Sequence, residues 1–398
     1  MKRFLILLAA ALSLASCSWF GHDDKETQVL LLYFSDNNNL SEEGIGDFED
    51  FKASWLPASK DKHQIVLVYH HFLDQAPVLE RLSKDKRGNL VEDVILEYPF
   101  STNSAKAATL SAVLSDAAAA WPADRLGLVL SSHASGFLPA GYYNSPKEFA
   151  SRSEETALRQ ADPFAAMVKS EAVKSFAEDH GTEMELSELQ RALSPYHFDF
   201  ILFDCCLMAN VEVAYELRGT ADYLLFSPTE ILSDGFPYEA IAEPVFSTGP
   251  AVAMQTIARS YMAHYRAFSG VYQSATITLV ETAGLPALAR ACQPVFQQHR
   301  EQILTLDRSK VQAYFRYGKH WFYDLDDFVG QVATESEYRA FTDALRKAVM
   351  FKDATEEFIG LPITHYSGLS IYIPRPEYTV LNNYYKTLAW NQATSLVQ

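Results

Sequence analysis

Apolar positions along this chain come in short unbroken runs, separated by longer stretches with helical spacing. Residues 29–34, 64–69 and 126–131 are continuous apolar segments ending in polar turns, and 198–203 and 222–226 follow the same pattern. Strands apolar on both faces belong to a sheet covered by helices on each side. Between them, 104–120 and 207–218 carry helical periodicity and good helix formers. Runs at 275–280 and 369–373 read as further strands, separated by a helical stretch rich in Ala, Gln and Arg. The alternation predicts an α/β fold with a mainly parallel central sheet. Residues 137–195 break the rhythm: they are polar, carry Lys147, Arg152, Arg159, Lys169 and Lys174, and form an insertion of the kind that is usually functional or mobile. No Gly-rich phosphate loop follows any strand, so nucleotide binding has no support.

The amino end changes the picture of where the chain works. Met1, Lys2 and Arg3 open it, and the apolar run from Phe4 to Leu14 is too short to span a bilayer. A signal peptide over 1–16 is the reading. Its ending, Leu14-Ala15-Ser16-Cys17, resembles a lipobox, in which Cys17 becomes the lipidated first residue and 17–26 a tether. An ordinary signal peptide with a cysteine near its cut is the other reading. No later segment offers about 18 uninterrupted apolar residues. The hydrophobic content of 48% is that of a globular body with a real core. The formal charge of −17 becomes −19 once Lys2 and Arg3 leave with the leader. Such acidity argues against nucleic acid and against docking on anionic lipid, so membrane contact is expected through the anchor alone.

Four cysteines then need a reason: Cys17 is assigned to the anchor, Cys205 and Cys206 are neighbours, and Cys292 stands apart. An exported chain with three remaining cysteines, two of them adjacent, has no disulfide framework. The chemistry-bearing residues lie at two strand ends. The 126–131 strand runs into Ser132-His133-Ala134-Ser135-Gly136, and the 198–203 strand into Asp204-Cys205-Cys206-Leu207-Met208. Carboxyl ends of parallel strands form the crevice where α/β proteins bind ligands. A thiol is a strong nucleophile only as thiolate, and a nearby imidazole can take its proton. Cys206 is also expected at the start of the following helix, whose N-terminus favours a thiolate. Backbone N–H groups after Gly136 or near Cys206 could cradle an oxyanion. Taken singly, a strand-end His is a common structural residue and a Cys after an apolar strand a common packing residue.

The surrounding residues carry a resemblance. Phe203-Asp204-Cys205-Cys206-Leu207-Met208-Ala209, followed by Val211-Glu212-Val213-Ala214-Tyr215-Glu216-Leu217, resembles the signature of the clostripain family of cysteine peptidases. The similarity continues through Ala221-Asp222-Tyr223, Ser227, Glu230 and Asp234-Gly235-Phe236-Pro237-Tyr238. Weaker matches are Leu32-Tyr33 with Asp36-Asn37-Asn38 and Leu40, Glu188-Leu189 with Ala192-Leu193, Asp324-Leu325 with Asp327-Phe328, and 368–374. The resemblance implies a caspase-like core over 27–240 and an additional C-terminal α/β portion over 241–398 packed on it.

Carried over by position, His133 is the base and Cys206 the nucleophile. Cys205 stands where the family usually has a small residue, which leaves two candidate thiols. Ala134 stands where a Gly commonly follows the His, and a positive φ there would strain it. The family's S1 pocket implies that Asp204 and Asp234 receive an Arg or Lys side chain by charge-assisted hydrogen bonds. Asp204 could instead cap the helix after Cys206, and Asp234 could equally be a turn residue. Family members often cut themselves between the His and the Cys, making Lys147 and Arg152 candidate processing sites in an insertion that could equally be a flexible loop. Some relatives use calcium, and Asp36, Asn37 and Asn38 offer oxygen ligands, but without EF-hand spacing, so no cofactor is expected. The expected protein is an exported, monomeric, lipid-anchored peptidase acting on peptides or proteins with a basic P1 residue. A lipid-anchored binding or adaptor protein with weakened catalysis is the alternative, favoured by Ala134 and Cys205. A transferase or thioesterase would need a nucleophile elbow that the chain lacks.

Overall fold

The structure is a computed structural model, which describes residues 25–143, 167, 176–315 and 321–398. Cys17, Lys147 and Arg152 lie outside the described residues. The continuous apolar runs form the strands β1 (Gln28–Asp36), β2 (Gln64–Phe72), β5 (Arg125–Ser131), β8 (Phe198–Asp204) and β9 (Ala221–Phe226). All five are parallel to their neighbours in this set. They are the middle of one nine-stranded sheet of order β12-β10-β9-β8-β5-β1-β2-β3-β4. Antiparallel strands close both margins: β3 (Val78–Lys84) and β4 (Leu90–Glu97) on one side, β10 (Thr276–Glu281) and β12 (Val349–Ala354) on the other. Two short strands pair outside this sheet as a hairpin, β6 (Phe176–Asp179) and β7 (Thr182–Met184). The strand expected over 369–373 shrinks to Ser370–Ile371, which pairs with β11 (Tyr323–Asp324) away from the main sheet.

Burial explains the pattern. From Leu30 to Phe34 and from Ile65 to Tyr69 every side chain is buried, which is what central strands between two helical layers require. One helical layer contains α1 (Ser41–Ala53), Ala242–Ser247 and Pro250–Arg266; the other contains α2 (Ala107–Ala120), Leu186–Leu193, Val211–Glu216, Leu285–Gln298 and Ala389–Thr394. Residues beyond 240 thus supply edge strands to the same sheet as well as helices to both layers.

The chain leaves β1 toward β2 on one side, while β5 lies against β1 on the other. That divergence makes the carboxyl end between β1 and β5 a topological switch point, the place where open α/β sheets hold ligands. The helix expected over 207–218 is shorter than its sequence suggests. It runs only from Val211 to Glu216, with Asn210 as its N-cap accepting the Val213 N–H at 3.1 Å. Leu207 has a φ of +61°, a left-handed turn that breaks the helix before it starts.

Candidate active site

The two strand ends singled out in the sequence are neighbours in space. In the parallel pairing of β5 with β8, Ser131 is the register partner of Asp204. His133 and Cys206 each stand two residues beyond that pair, on the same edge. Both are fully buried, as are Cys205 and Asp204.

His133 is held at its main chain and at its ring. Its carbonyl accepts the Ala177 N–H at 3.0 Å, and Ala134 bridges to Phe176, so the hairpin β6–β7 clasps the turn. The Ser132 hydroxyl donates to the Ser35 carbonyl at 2.6 Å, tying the same turn to the end of β1. On the ring, Nε2 lies 2.8 Å from Asn39 Oδ1. Ala134 is not among the residues with positive φ, so the strain anticipated at this position does not arise.

The two adjacent thiols face different partners. The Cys205 thiol donates to the Leu130 carbonyl of β5 at 3.3 Å. Cys206 Sγ accepts the Ile231 N–H at 3.2 Å, with the Ile231 carbonyl 3.7 Å away. A donor aimed at sulfur favours the charged form, whereas a carbonyl acceptor favours the protonated thiol. The helix N-terminus invoked for Cys206 is not adjacent: Asn210, not Cys206 or Asp204, caps it. The backbone at Cys206 is shaped instead by Leu207, whose N–H donates to the Thr229 carbonyl at 2.9 Å despite its strained φ. None of the described cysteines forms a disulfide. Burial pushes the Cys292 thiol well above its ordinary range, which marks it as packing.

Gly136 packs on the segment after Cys206. Its φ is +65°, and a Cβ there would lie 2.3 Å from Asn210 Nδ2 and 2.6 Å from the Leu207 carbonyl oxygen. The two ends of the densest motif also meet, because Asp204 Oδ2 accepts the Tyr238 hydroxyl at 2.9 Å. Burial raises the Tyr238 phenol well above its usual value, and the Asp204 and Asp47 carboxylates add to that. Asp234 lies further out, exposed, with His264 Nε2 2.6 Å from its Oδ2. It lines a cleft of about 430 Å³ together with Glu43, Asp47, Asp50, Glu239 and His264. Asn37 and Asn38 turn their amides to the Asp179 carboxylate and the Glu178 carbonyl. Among the described residues no group of three or more His, Cys, Asp or Glu could hold a metal ion, and no helix is long and apolar enough to cross a membrane.

Sequence reasoning missed Asn39, Ile231 and Tyr238 as parts of this site. A run of polar residues after an apolar strand marked the turn at 36–39, but nothing in it says which asparagine reaches the histidine.

A buried His and Cys at adjacent strand ends of a caspase-like sheet define the class, an α/β protein built for thiol chemistry. The clostripain-family model matches residues 32–155 and 165–395. Among curated proteins, none matches the chain. A solved structure described as an inactive zymogen C11 protease from Parabacteroides distasonis is 30% identical, covers 93% of this chain and 99% of its own, and superposes with a TM-score of 0.75. A secreted C11 cysteine protease from Bacteroides thetaiotaomicron, solved with an irreversible peptide inhibitor, is 26% identical over 92% of this chain and 98% of its own, with a TM-score of 0.74. The chain belongs to the clostripain family of cysteine peptidases.

Proposed function

We propose that this protein is an exported, lipid-anchored cysteine endopeptidase that cleaves after Arg or Lys, with Cys206 as nucleophile and His133 as general base and acid. The observation that carries the pairing is the β5–β8 register, which sets both residues two positions past the Ser131–Asp204 pair. The Ile231 N–H on the Cys206 sulfur supports Cys206 over Cys205 as the thiolate. In the reaction, His133 takes the thiol proton and the sulfur attacks the scissile carbonyl. Backbone N–H groups near Gly136 and Cys206 receive the oxyanion. His133 then protonates the leaving amine, and water hydrolyses the thioester.

Specificity for a basic P1 residue has its support in the carboxylates. Asp47, whose carboxylate acts with that of Asp204 on Tyr238, lines the same acidic cleft as Asp234, so a guanidinium or ammonium would find paired acceptors there. The full burial of His133 and Cys206 supports a closed precursor, opened by cleavage within the insertion at a residue such as Lys147 or Arg152. The relative described as an inactive zymogen makes that reading natural. Cys17 would tether the body to the membrane, and the acidic surface keeps it off nucleic acid. The protein acts as a monomer on peptide or protein substrates. Calcium is not required by this chemistry.

Fluorogenic peptides differing at P1 test the reading, assayed with the full chain and its Cys206→Ala, Cys205→Ala and Asp204→Ala variants. Cleavage after Arg and Lys is expected, lost in Cys206→Ala, retained in Cys205→Ala, and weakened chiefly through KM in Asp204→Ala. Cleavage that survives Cys206→Ala would remove this assignment.

A further inference from the structure

Three asparagines follow β1 in succession, and the structure gives each a different task. Asn37 Nδ2 donates to Asp179 Oδ1 at 3.0 Å. Asn38 donates to the Glu178 carbonyl at 2.8 Å, while its own Oδ1 accepts the Leu40 N–H at 2.8 Å. These two are buried and brace the turn against the hairpin β6–β7. Asn39 is exposed, yet its Oδ1 reaches the buried His133 ring at 2.8 Å, across the switch point between β1 and β5.

An amide oxygen only accepts hydrogen bonds, so the ring nitrogen facing it must carry a proton. We infer that Asn39 is a positioning residue for catalysis: it holds His133 with the proton on Nε2, leaving Nδ1 as the nitrogen that receives the thiol proton. The inference rests on the reading of His133 and Cys206 given above. In the step it serves, the S–H bond of Cys206 breaks, its electron pair stays on sulfur, and an Nδ1–H bond forms. The resulting imidazolium strengthens the Nε2–H···O bond to Asn39, because a charged donor makes the stronger hydrogen bond. The amide does this without placing a second negative charge beside the thiolate. Main-chain contacts from Ala177 and Phe176 fix where His133 sits. Asn39 acts on how its ring is turned and protonated, a separate constraint that those contacts do not supply.

The test uses the full chain in a Cys205→Ala background, with Asn39→Ala and Asn39→Asp compared for kcat, KM and the pH profile of Cys206 alkylation by iodoacetamide. Asn39→Ala is expected to lower kcat by about 10- to 100-fold, with KM within about twofold, and to move the alkylation inflection. Asn39→Asp keeps an acceptor, so it recovers most of kcat and shifts the limb at which His133 loses its proton to higher pH. If Asn39→Ala leaves both kcat and the alkylation profile unchanged, the inference is overturned. An Asn39→Asp variant no better than Asn39→Ala also overturns it, whatever either does to stability. Cys206→Ala, measured alongside, keeps the two questions apart: an active Cys206→Ala protein means that the site assignment has failed, not the role of Asn39.

Discussion

Gly136 and Leu207 lie against each other on either side of the candidate site, and both have positive φ. For Gly136 that conformation is free of steric cost; for Leu207, a buried residue with a branched side chain, it stores strain at the position after Cys206. A methyl group at 136 would press on Asn210 and on the Leu207 carbonyl at separations no relaxed structure tolerates. Gly136→Ala is therefore expected to lower stability by about 1–3 kcal/mol and to reduce kcat. Urea unfolding read beside peptide hydrolysis checks both, and an unchanged kcat would mean that the 207 turn does not govern Cys206. The adjacent thiols differ for a similarly local reason: both are cysteines, and what separates them is the backbone each meets, the Leu130 carbonyl for Cys205 and the Ile231 N–H and carbonyl for Cys206.

Val211–Glu216 is a helix of six residues, too short to persist without tertiary support. Its support is Glu212, a fully buried carboxyl whose Oε1 accepts the Tyr372 N–H at 2.9 Å and the Tyr385 hydroxyl at 2.6 Å. Burial outweighs these hydrogen bonds and raises its pKa from 4.5 to about 7. The native state therefore binds this proton more tightly than the unfolded chain does. Its contribution to stability is complete below pH about 4.5 and is lost as pH rises through about 7. The full swing amounts to about 3 kcal/mol. Glu212→Gln imitates the protonated form, so its stability should stay level between about pH 5 and about pH 8, where the parent's falls. Guanidinium titrations of both proteins at the two pH values measure the difference; parallel pH dependence would show that another group is responsible.

The edge of the sheet that carries His133 and Cys206 depends on chain far downstream. The Ser370 N–H donates to the Ala209 carbonyl at 2.9 Å, and Tyr372 and Tyr385 hold Glu212, so the segment carrying Cys206 is braced by residues beyond 369. β10 and β12 cover the β9 margin of the sheet, which would otherwise be an open apolar edge. A chain ending at residue 240 is expected to lack cooperative unfolding and near-ultraviolet dichroism, although it contains every candidate catalytic residue. A sharp thermal transition in that fragment would mean that the core is independent of the residues beyond 240.

Much of this was legible in the residues. Five central strands announce themselves as nearly continuous apolar runs because burial on both faces leaves few polar positions, and the 198–238 motif carries the family. β3, β4 and β12 escaped because these margin strands mix apolar and charged residues, with neither an unbroken apolar run nor a strict alternation to mark them. The helix after Cys206 was read too long because helical spacing cannot register a left-handed Leu207. What the chain order by itself determined is the set of candidate reacting groups and the type of sheet that presents them. Their burial, the Asn39 contact on His133, the different surroundings of Cys205 and Cys206, and the joining of Asp204 to Tyr238 were decided only by tertiary structure. Each of these is a contact between residues many positions apart, and local periodicity holds no information about which distant groups will meet.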